Sequence, residues 1–255
     1  MEDWSKKQEL RKYIPFNQNE YGLLIRNLSE EHIDLMGDFS QKIYSTLRDN
    51  EKTFIHHHNR DYYKKSLQQG NKYLWIFDGN KLVGMSNIII CNNKESFDEE
   101  VPWSPRNFFE ENEKTKIAVF WADSVLPEYR GRGLNKYMVD CRVELAKTLW
   151  CNIAASIVDR HNIKNFSPYF KNGFPMYGAG IDPSDNGDIA LMFRNIDEKT
   201  IDAQNVKALD YGDFSNIDQT LNQWYQGIHY DRETGLITFV KGKKENIKIL
   251  QHKAA

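Results

Sequence analysis

The stretch Val125-Leu126-Pro127-Glu128-Tyr129-Arg130-Gly131-Arg132-Gly133-Leu134-Asn135 decides how the rest of the chain is read. It follows the apolar run Lys116–Leu126, which reads as a strand. It precedes Leu134–Trp150, where Tyr137, Met138, Cys141, Leu145 and Leu149 fall near one helical face. A strand therefore runs into a glycine-rich turn that opens a helix. Successive backbone N–H groups of such a turn line a concavity, and the helix dipole adds positive character. Glycine lets the backbone approach a ligand closely. The arrangement suits a pyrophosphate. The two standard alternatives, G-x-x-x-x-G-K-[ST] and G-x-G-x-x-G, are absent from the stretch.

Downstream, Asn152–Val158 reads as a strand and Ile163–Asn172 as a short helix closed by Gly173. Asn162, Tyr169, Lys171, Gly173 and Phe174 are spaced along this segment. Pro168 would delay the start of the helix. Two strands follow near Pro175–Ile181 and Asp188–Asn195. Upstream, Tyr73–Phe77 and Lys81–Ile90 flank the turn Asp78-Gly79-Asn80 and predict a hairpin. Tyr21–Arg26 reads as a strand, Ser29 as the cap of a helix through Leu47, and Arg60–Gln69 as a helix stopped by Gly70. Residues 3–13 read as a short polar helix ended by Pro15. The order β-α-α-β-β-β-α-β-α-β-β is that of a mixed α/β (α+β) domain, a central sheet flanked by helices.

On these residues the chain resembles the GNAT superfamily of acyl-CoA-dependent N-acyltransferases. That family's coenzyme A loop has the form Q/R-x-x-G-x-G/A after a strand ending in a V-x-P-like turn. Arg130 and Gly133 match it, and Asn135 departs from the last position. The family's later pattern N-x-x-A-x-x-x-Y-x-K-x-G-F is met by Asn162, Tyr169, Lys171, Gly173 and Phe174, with Asn165 in place of alanine. The likeness runs from Leu23 to Asn195. It implies a GNAT-like domain over residues 21–196, an N-terminal helical extension over 1–20 and a C-terminal extension over 197–255.

The resemblance also implies chemistry. Acetyl-CoA would be the acyl donor, held by Val125, Leu126, Arg130, Gly131, Arg132, Gly133, Leu134, Asn135 and Asn162. The acceptor would be a primary amine attacking the thioester directly. A lysine-like ammonium, with a pKa of about 10.4, must first lose a proton to a base or water chain. Asp123 is the candidate base; its plainer reading is a structural carboxylate. The oxyanion would be met by backbone N–H groups at Val125, with Leu126 nearby. Tyr169 matches the family's acid, a phenol suited to protonating the departing thiolate; the alternative is a packing aromatic beside Phe166, Phe170 and Phe174.

Between the hairpin and Lys116, residues 94–114 read as an irregular insertion with Pro102 and Pro105. From Glu95 to Glu113, the acids Glu95, Asp98, Glu99, Glu100, Glu110, Glu111 and Glu113 stand against a single base, Arg106, with Phe97, Trp103, Phe108 and Phe109 interleaved. Glu99, Glu100 and Trp103 are candidate contacts for a cationic amine, by charge and cation–π attraction. A solvated loop with aromatics packed on the core is the competing reading. His56-His57-His58 is not a metal site by its spacing, since neighbours in sequence do not face one point; no metal is expected. His161 reads as a loop residue.

Composition bounds the rest. In 255 residues, 34 basic and 36 acidic groups give a formal charge of −2, against a dedicated nucleic-acid binder. No apolar run approaches membrane-spanning length, and the first residues carry no secretory pattern. Three cysteines without zinc or redox spacing fit a reduced, cytoplasmic protein. After Asn195, Ile217–Tyr225 reads as a helix, and Ile228–Tyr230 with Leu236–Val240 as a hairpin: a subdomain, a cleft cover or a dimerisation element. The leading expectation is N-acetyl transfer to a small cationic amine. Protein lysine or N-terminal acetylation, and a non-catalytic acyl-CoA-binding module, stand beside it. A homodimer is left open.

Overall fold

The structure, a computed structural model, describes residues 14–16, 21–27, 30–52, 58–101, 116–182, 186–196 and 204–241. The fold is mixed α/β, built on mostly antiparallel sheet flanked by helices. The chain divides into two compact units, residues 1–90 with 121–138 and residues 91–120 with 139–255.

In the first unit, strands β1 (Ile14–Phe16), β2 (Tyr21–Asn27), β3 (Lys72–Asp78) and β4 (Lys81–Cys91) form an antiparallel meander. β1 stands where the sequence predicts a helix end and a turn. It is an edge strand, where Pro15, having no N–H to donate, is tolerated. The predicted helix over 3–13 lies outside the described residues. Helix α1 (Ile33–Thr46) is entered through a 3-10 turn at Glu30–His32, and its cap position is His32; the predicted cap, Ser29, lies outside the described residues. Met36, Phe39, Ser40 and Ile43 recur at helical spacing and are buried. A short helix α2 (Asp49–Lys52) follows. Helix α3 (Arg60–Gln68) is capped by Asn59, whose side chain accepts from the Tyr62 N–H at 2.9 Å. It packs on α1, and Arg60 pairs with Asp34 and Asp38, each at 2.8 Å. β3 is apolar on both faces, and Tyr73 through Phe77 are all buried.

In the second unit, residues 117–120 of strand β5 (Ile117–Val125) pair in parallel with β6 (Ile153–Asp159); helix α5 (Leu134–Thr148) lies between the two strands in sequence. The remaining pairs are antiparallel, in the order β5-β6-β8-β7-β10-β11-β9. Here β7 is Met176–Ile181, β8 Asp188–Asn195, β9 Gln204–Asp210, β10 Tyr225–Tyr230 and β11 Leu236–Lys241. Ala118, Val119, Ala154, Ala155, Leu191 and Met192 have no exposed surface, the mark of a strand core covered on both sides.

Other elements also differ from the sequence reading. The start of the insertion is a helix, α4 (Lys94–Glu100), not an irregular segment. Asn93 and Ser96 cap it reciprocally, and Phe97 and Val101 bury their side chains. The C-terminal helix, α7 (Phe214–Asn222), begins three residues early because Asp213 caps it, accepting from the Asn216 N–H at 3.2 Å. Its Tyr225 belongs instead to β10. Strand β9 was not foreseen; Gln204-Asn205-Val206-Lys207-Ala208-Leu209-Asp210 lacks β-branched and aromatic enrichment, and pairing with β11 supplies its conformation.

None of the three cysteines is in a disulfide. Burial, with the nearby charges of Glu100, Cys151 and Glu99, pushes the Cys91 thiol up to about 12. Burial pushes Cys151 up to about 11. Among the described residues no helix is long and apolar enough to cross a membrane.

Candidate active site

The glycine-rich segment lies in the first unit. Pro127–Tyr129 forms a 3-10 turn, in which the N–H groups of Tyr129 and Arg130 return to Leu126 and Pro127. Gly131 and Gly133 then hold φ of +76° and +80°. A Cβ at Gly131 would meet nothing within 4 Å, so the backbone conformation, not space, demands glycine there. The first bond of the α5 ladder runs from the Tyr137 N–H to the Gly133 carbonyl. The leading amides of α5 thus have no acceptor within the helix and define its positive end. Arg130, Arg132 and Lys136 are exposed around that end.

Neighbouring side chains stitch the loop down. The Tyr129 hydroxyl donates to Asp78 Oδ2 at 2.7 Å, and Lys81 pairs with Glu128 at 2.9 Å. The Tyr129 ring carries a cation near it from Lys81, 5.2 Å from the centroid, and from Arg132, 5.1 Å away. Arg130 Nε donates to the Val125 carbonyl at 3.1 Å. The Leu126 N–H donates to the Val83 carbonyl at 2.9 Å and holds the strand end beside β4. Leu134 is buried and Asn135 partly buried in the first turn of α5. A left-handed glycine turn, a helix N-terminus and a basic rim fit a diphosphate.

Asp123 lies just before this loop and is partly buried. Ser86, fully buried on β4, donates to its Oδ1 at 2.6 Å, a short charge-assisted bond. The preceding Ala122 has φ of +43°, a strained turn of the strand that costs an L-residue about 1–3 kcal/mol.

Tyr169 and Asn162 lie in the second unit, on helix α6 (Ile163–Lys171). Contrary to the predicted late start, the helix begins at Ile163 and Pro168 sits inside it. Pro168 can make no bond back to Lys164, and that residue is exposed, so water can serve its carbonyl. Asn162 is the cap residue but makes no side-chain cap bond. Gly173, at φ +70°, closes the helix. Tyr169 is buried, its ring 5.4 Å edge-on from Phe174. Its hydroxyl oxygen accepts from Arg142 Nη2 at 3.2 Å.

Of the acidic insertion, Glu99 and Glu100 end α4 with exposed side chains, whereas Phe97 packs inside. Partial desolvation of its carboxyl and the neighbouring Glu99 raise Glu100 above the ordinary carboxylate range. Trp103 lies outside the described residues, as do His56 and His57. His58 stacks on Tyr62 at 3.7 Å, and His161 sits 3.5 Å from Asp188.

The first unit thus brings together Asp123 and the whole run Val125–Asn135; the second holds Asn162, Tyr169, Glu99 and Glu100. Sequence reasoning missed Ser86, Tyr129 with its Asp78 partner, and Arg142. For Arg142 a signal existed: it lies four residues after Met138 and three before Leu145, on the buried face of α5.

A strand, a left-handed glycine turn and a helix N-terminus, set in mostly antiparallel sheet, define an acyl-CoA-dependent N-acyltransferase. A model of the Acetyltransferase (GNAT) family matches residues 40–174, more than half of the chain, and the chain belongs to that family, whose acyl donor is acetyl-CoA. Among solved structures, Arabidopsis thaliana NAA60 in complex with acetyl-CoA superposes with a TM-score of 0.51 at 14% identity, over 69% of this chain and 99% of that one. A GNAT-family acetyltransferase from Streptococcus pneumoniae gives 0.50 at 19% identity, over 68% and 98%. An N-acetyltransferase from Staphylococcus aureus Mu50 gives 0.50 at 9% identity, over 69% and 99%. At such identities the likeness is one of fold. No curated protein matches the sequence.

Proposed function

We propose that the protein transfers the acetyl group of acetyl-CoA to a primary amine, a small cationic metabolite by class. The observation that carries the acceptor class is the paired Glu99 and Glu100 at the end of α4, where partial desolvation first and then the neighbouring Glu99 raise Glu100. A fold keeps two carboxylates together at a cost, and an incoming ammonium offsets that cost.

Gly131, Gly133 and the first turn of α5 hold the diphosphate, with Arg130 and Arg132 at its rim. The bound donor supplies an acyl carbon activated as a thioester. Asp123, oriented by Ser86, takes the ammonium proton directly or through water; the freed nitrogen forms the new C–N bond as the C–S bond breaks, and its second proton passes to solvent. The backbone N–H at Val125 faces the charge that develops on the carbonyl oxygen. Tyr169 gives its hydroxyl hydrogen to the departing sulfur.

The test is a panel of diamines, polyamines, amino acids and peptide N-termini, read by thiol release from acetyl-CoA. The expected result is turnover with cationic small amines, with kcat lowered about a hundredfold in Tyr169→Phe. Glu99→Gln with Glu100→Gln should raise KM for the amine and leave KM for acetyl-CoA unchanged. Turnover confined to peptides sinks the metabolite assignment. An unchanged amine KM sinks the role of the two glutamates.

A further inference from the structure

Arg142 is the one arginine of the described residues with no exposed surface at all. It projects from the middle of α5, between Met138 and Leu145, where an apolar side chain would be expected. Burying a guanidinium costs several kcal/mol unless its surroundings compensate. Two aromatic side chains flank it within the second unit. Its guanidinium lies 4.6 Å from the centroid of Phe120, on β5, and 6.0 Å from that of Tyr169, on α6. Phe174 closes the circuit, 5.6 Å from Phe120 and 5.4 Å from Tyr169. A further cation, Arg194 of β8, lies 5.6 Å from the Phe174 ring. Phe120, Tyr169 and Phe174 are all buried.

The hydrogen bond within this cluster has a direction that chemistry dictates. A guanidinium has five N–H donors and no acceptor. The Tyr169 oxygen must therefore accept from Arg142 Nη2 across their 3.2 Å contact. A phenol has a single hydrogen, and that hydrogen is thereby turned away from Arg142 and toward some other acceptor. We propose that Arg142 is a positioning residue for acyl transfer, fixing Tyr169 with its hydroxyl hydrogen directed away from the guanidinium and its oxygen held where it can carry negative charge.

This rests on the assignment of Tyr169 as the acid. In the step it serves, the Tyr169 O–H bond breaks and an S–H bond forms. The sulfur's electron pair forms that S–H bond, the electron pair of the broken O–H bond stays on the phenolate oxygen, and the negative charge comes to rest beside the guanidinium. The phenolate regains its proton from solvent, to which the amine has released one, so the cycle closes without an oxidant or reductant. A guanidinium remains charged at every pH at which the enzyme is folded, so it can do this without titrating.

The experiment is kinetic and spectroscopic on the full chain. Arg142→Met, Arg142→Lys and Arg142→Gln are compared for kcat and for both KM values, alone and combined with Tyr169→Phe. The methionine variant is expected to lose about tenfold or more in kcat, a fraction of the contribution of a general acid, with both KM values within about twofold. Lysine, which keeps charge and a donor, should recover part of the loss, and glutamine less. In the Tyr169→Phe background the Arg142 substitutions should have no further effect. With ¹³Cζ-labelled tyrosine, the resonance missing from Tyr169→Phe should move in Arg142→Met, a readout that needs no turnover.

Equal kcat across the folded Arg142 variants, or equal losses with and without the Tyr169 hydroxyl, overturns the positioning role. If the methionine variant does not fold, the order arginine above lysine above glutamine carries the decision. An unimpaired Tyr169→Phe sinks the acid assignment itself. An impaired Tyr169→Phe beside Arg142 variants of full kcat sinks only the role given to Arg142.

Discussion

Glu100 ends a helix with a second carboxylate beside it, at the end where the helix dipole already carries negative character. Its pKa is raised by partial desolvation and then by Glu99. The sign follows from linkage. A carboxyl whose folded pKa lies above its unfolded value is favoured by the fold in its protonated form. The fold bears the cost of the charge in full above the folded pKa and not at all below the ordinary value of 4.5. Glu100→Gln should therefore raise the melting temperature at pH 7 to 8 and leave it unchanged near pH 4. Calorimetry across that range is the check, and an equal shift at both ends would point to packing instead of charge. At this scale the sequence names residue types that could carry the chemistry, the glutamate pair and Tyr169 among them, as candidates. It was not legible for Ser86 or Arg142. Their meaning depends on a partner 37 and 27 residues away respectively, a separation that local spacing does not encode.

Among the elements, the loop between β5 and α5 was the most readable, because left-handed backbone narrows the choice of residue to glycine. The consequence can be measured. A left-handed conformation costs an alanine about 1–2 kcal/mol. Gly133→Ala is expected to raise the Kd for CoA about tenfold, since each 1.4 kcal/mol is a decade. Gly70→Ala, also left-handed at φ +89° but at the end of α3, should leave that Kd unchanged. Titration calorimetry separates the two; equal losses would mean that general destabilisation and not loop shape is at work. Helices α4 and α6 were harder to read. Asn93 caps α4 with a serine partner, where the familiar signal is glutamate or glutamine. Pro168 argued for a late start to a helix that begins at Ile163 regardless, because the aromatic side chains Phe166, Tyr169 and Phe170 bury one face of it.

At the scale of the whole chain, the segment after residue 196 belongs to the second unit's own sheet, through β10 beside β7. It also covers α6. The Phe166 ring meets Tyr211 at 5.7 Å, and α6 packs on β10. Buried Arg160 pairs with Asp218 at 2.9 Å and lies 4.0 Å from the Phe214 ring. A chain ending at residue 196 should lose at least what uncovering one buried phenylalanine costs, about 3 kcal/mol. For a protein of this size that is a fall of about 6 °C or more in melting temperature. A shortened chain that melts with the full one would remove any supporting role for these strands. The two buried thiols add a practical property. With Cys91 near 12 and Cys151 near 11, their thiolate fractions at pH 8 are about one in ten thousand and one in a thousand. An alkylating reagent added to the native protein will pass both by, and will label them only as fast as the second unit opens. The same two side chains are therefore a built-in clock for unfolding, counted by mass spectrometry without any engineered probe.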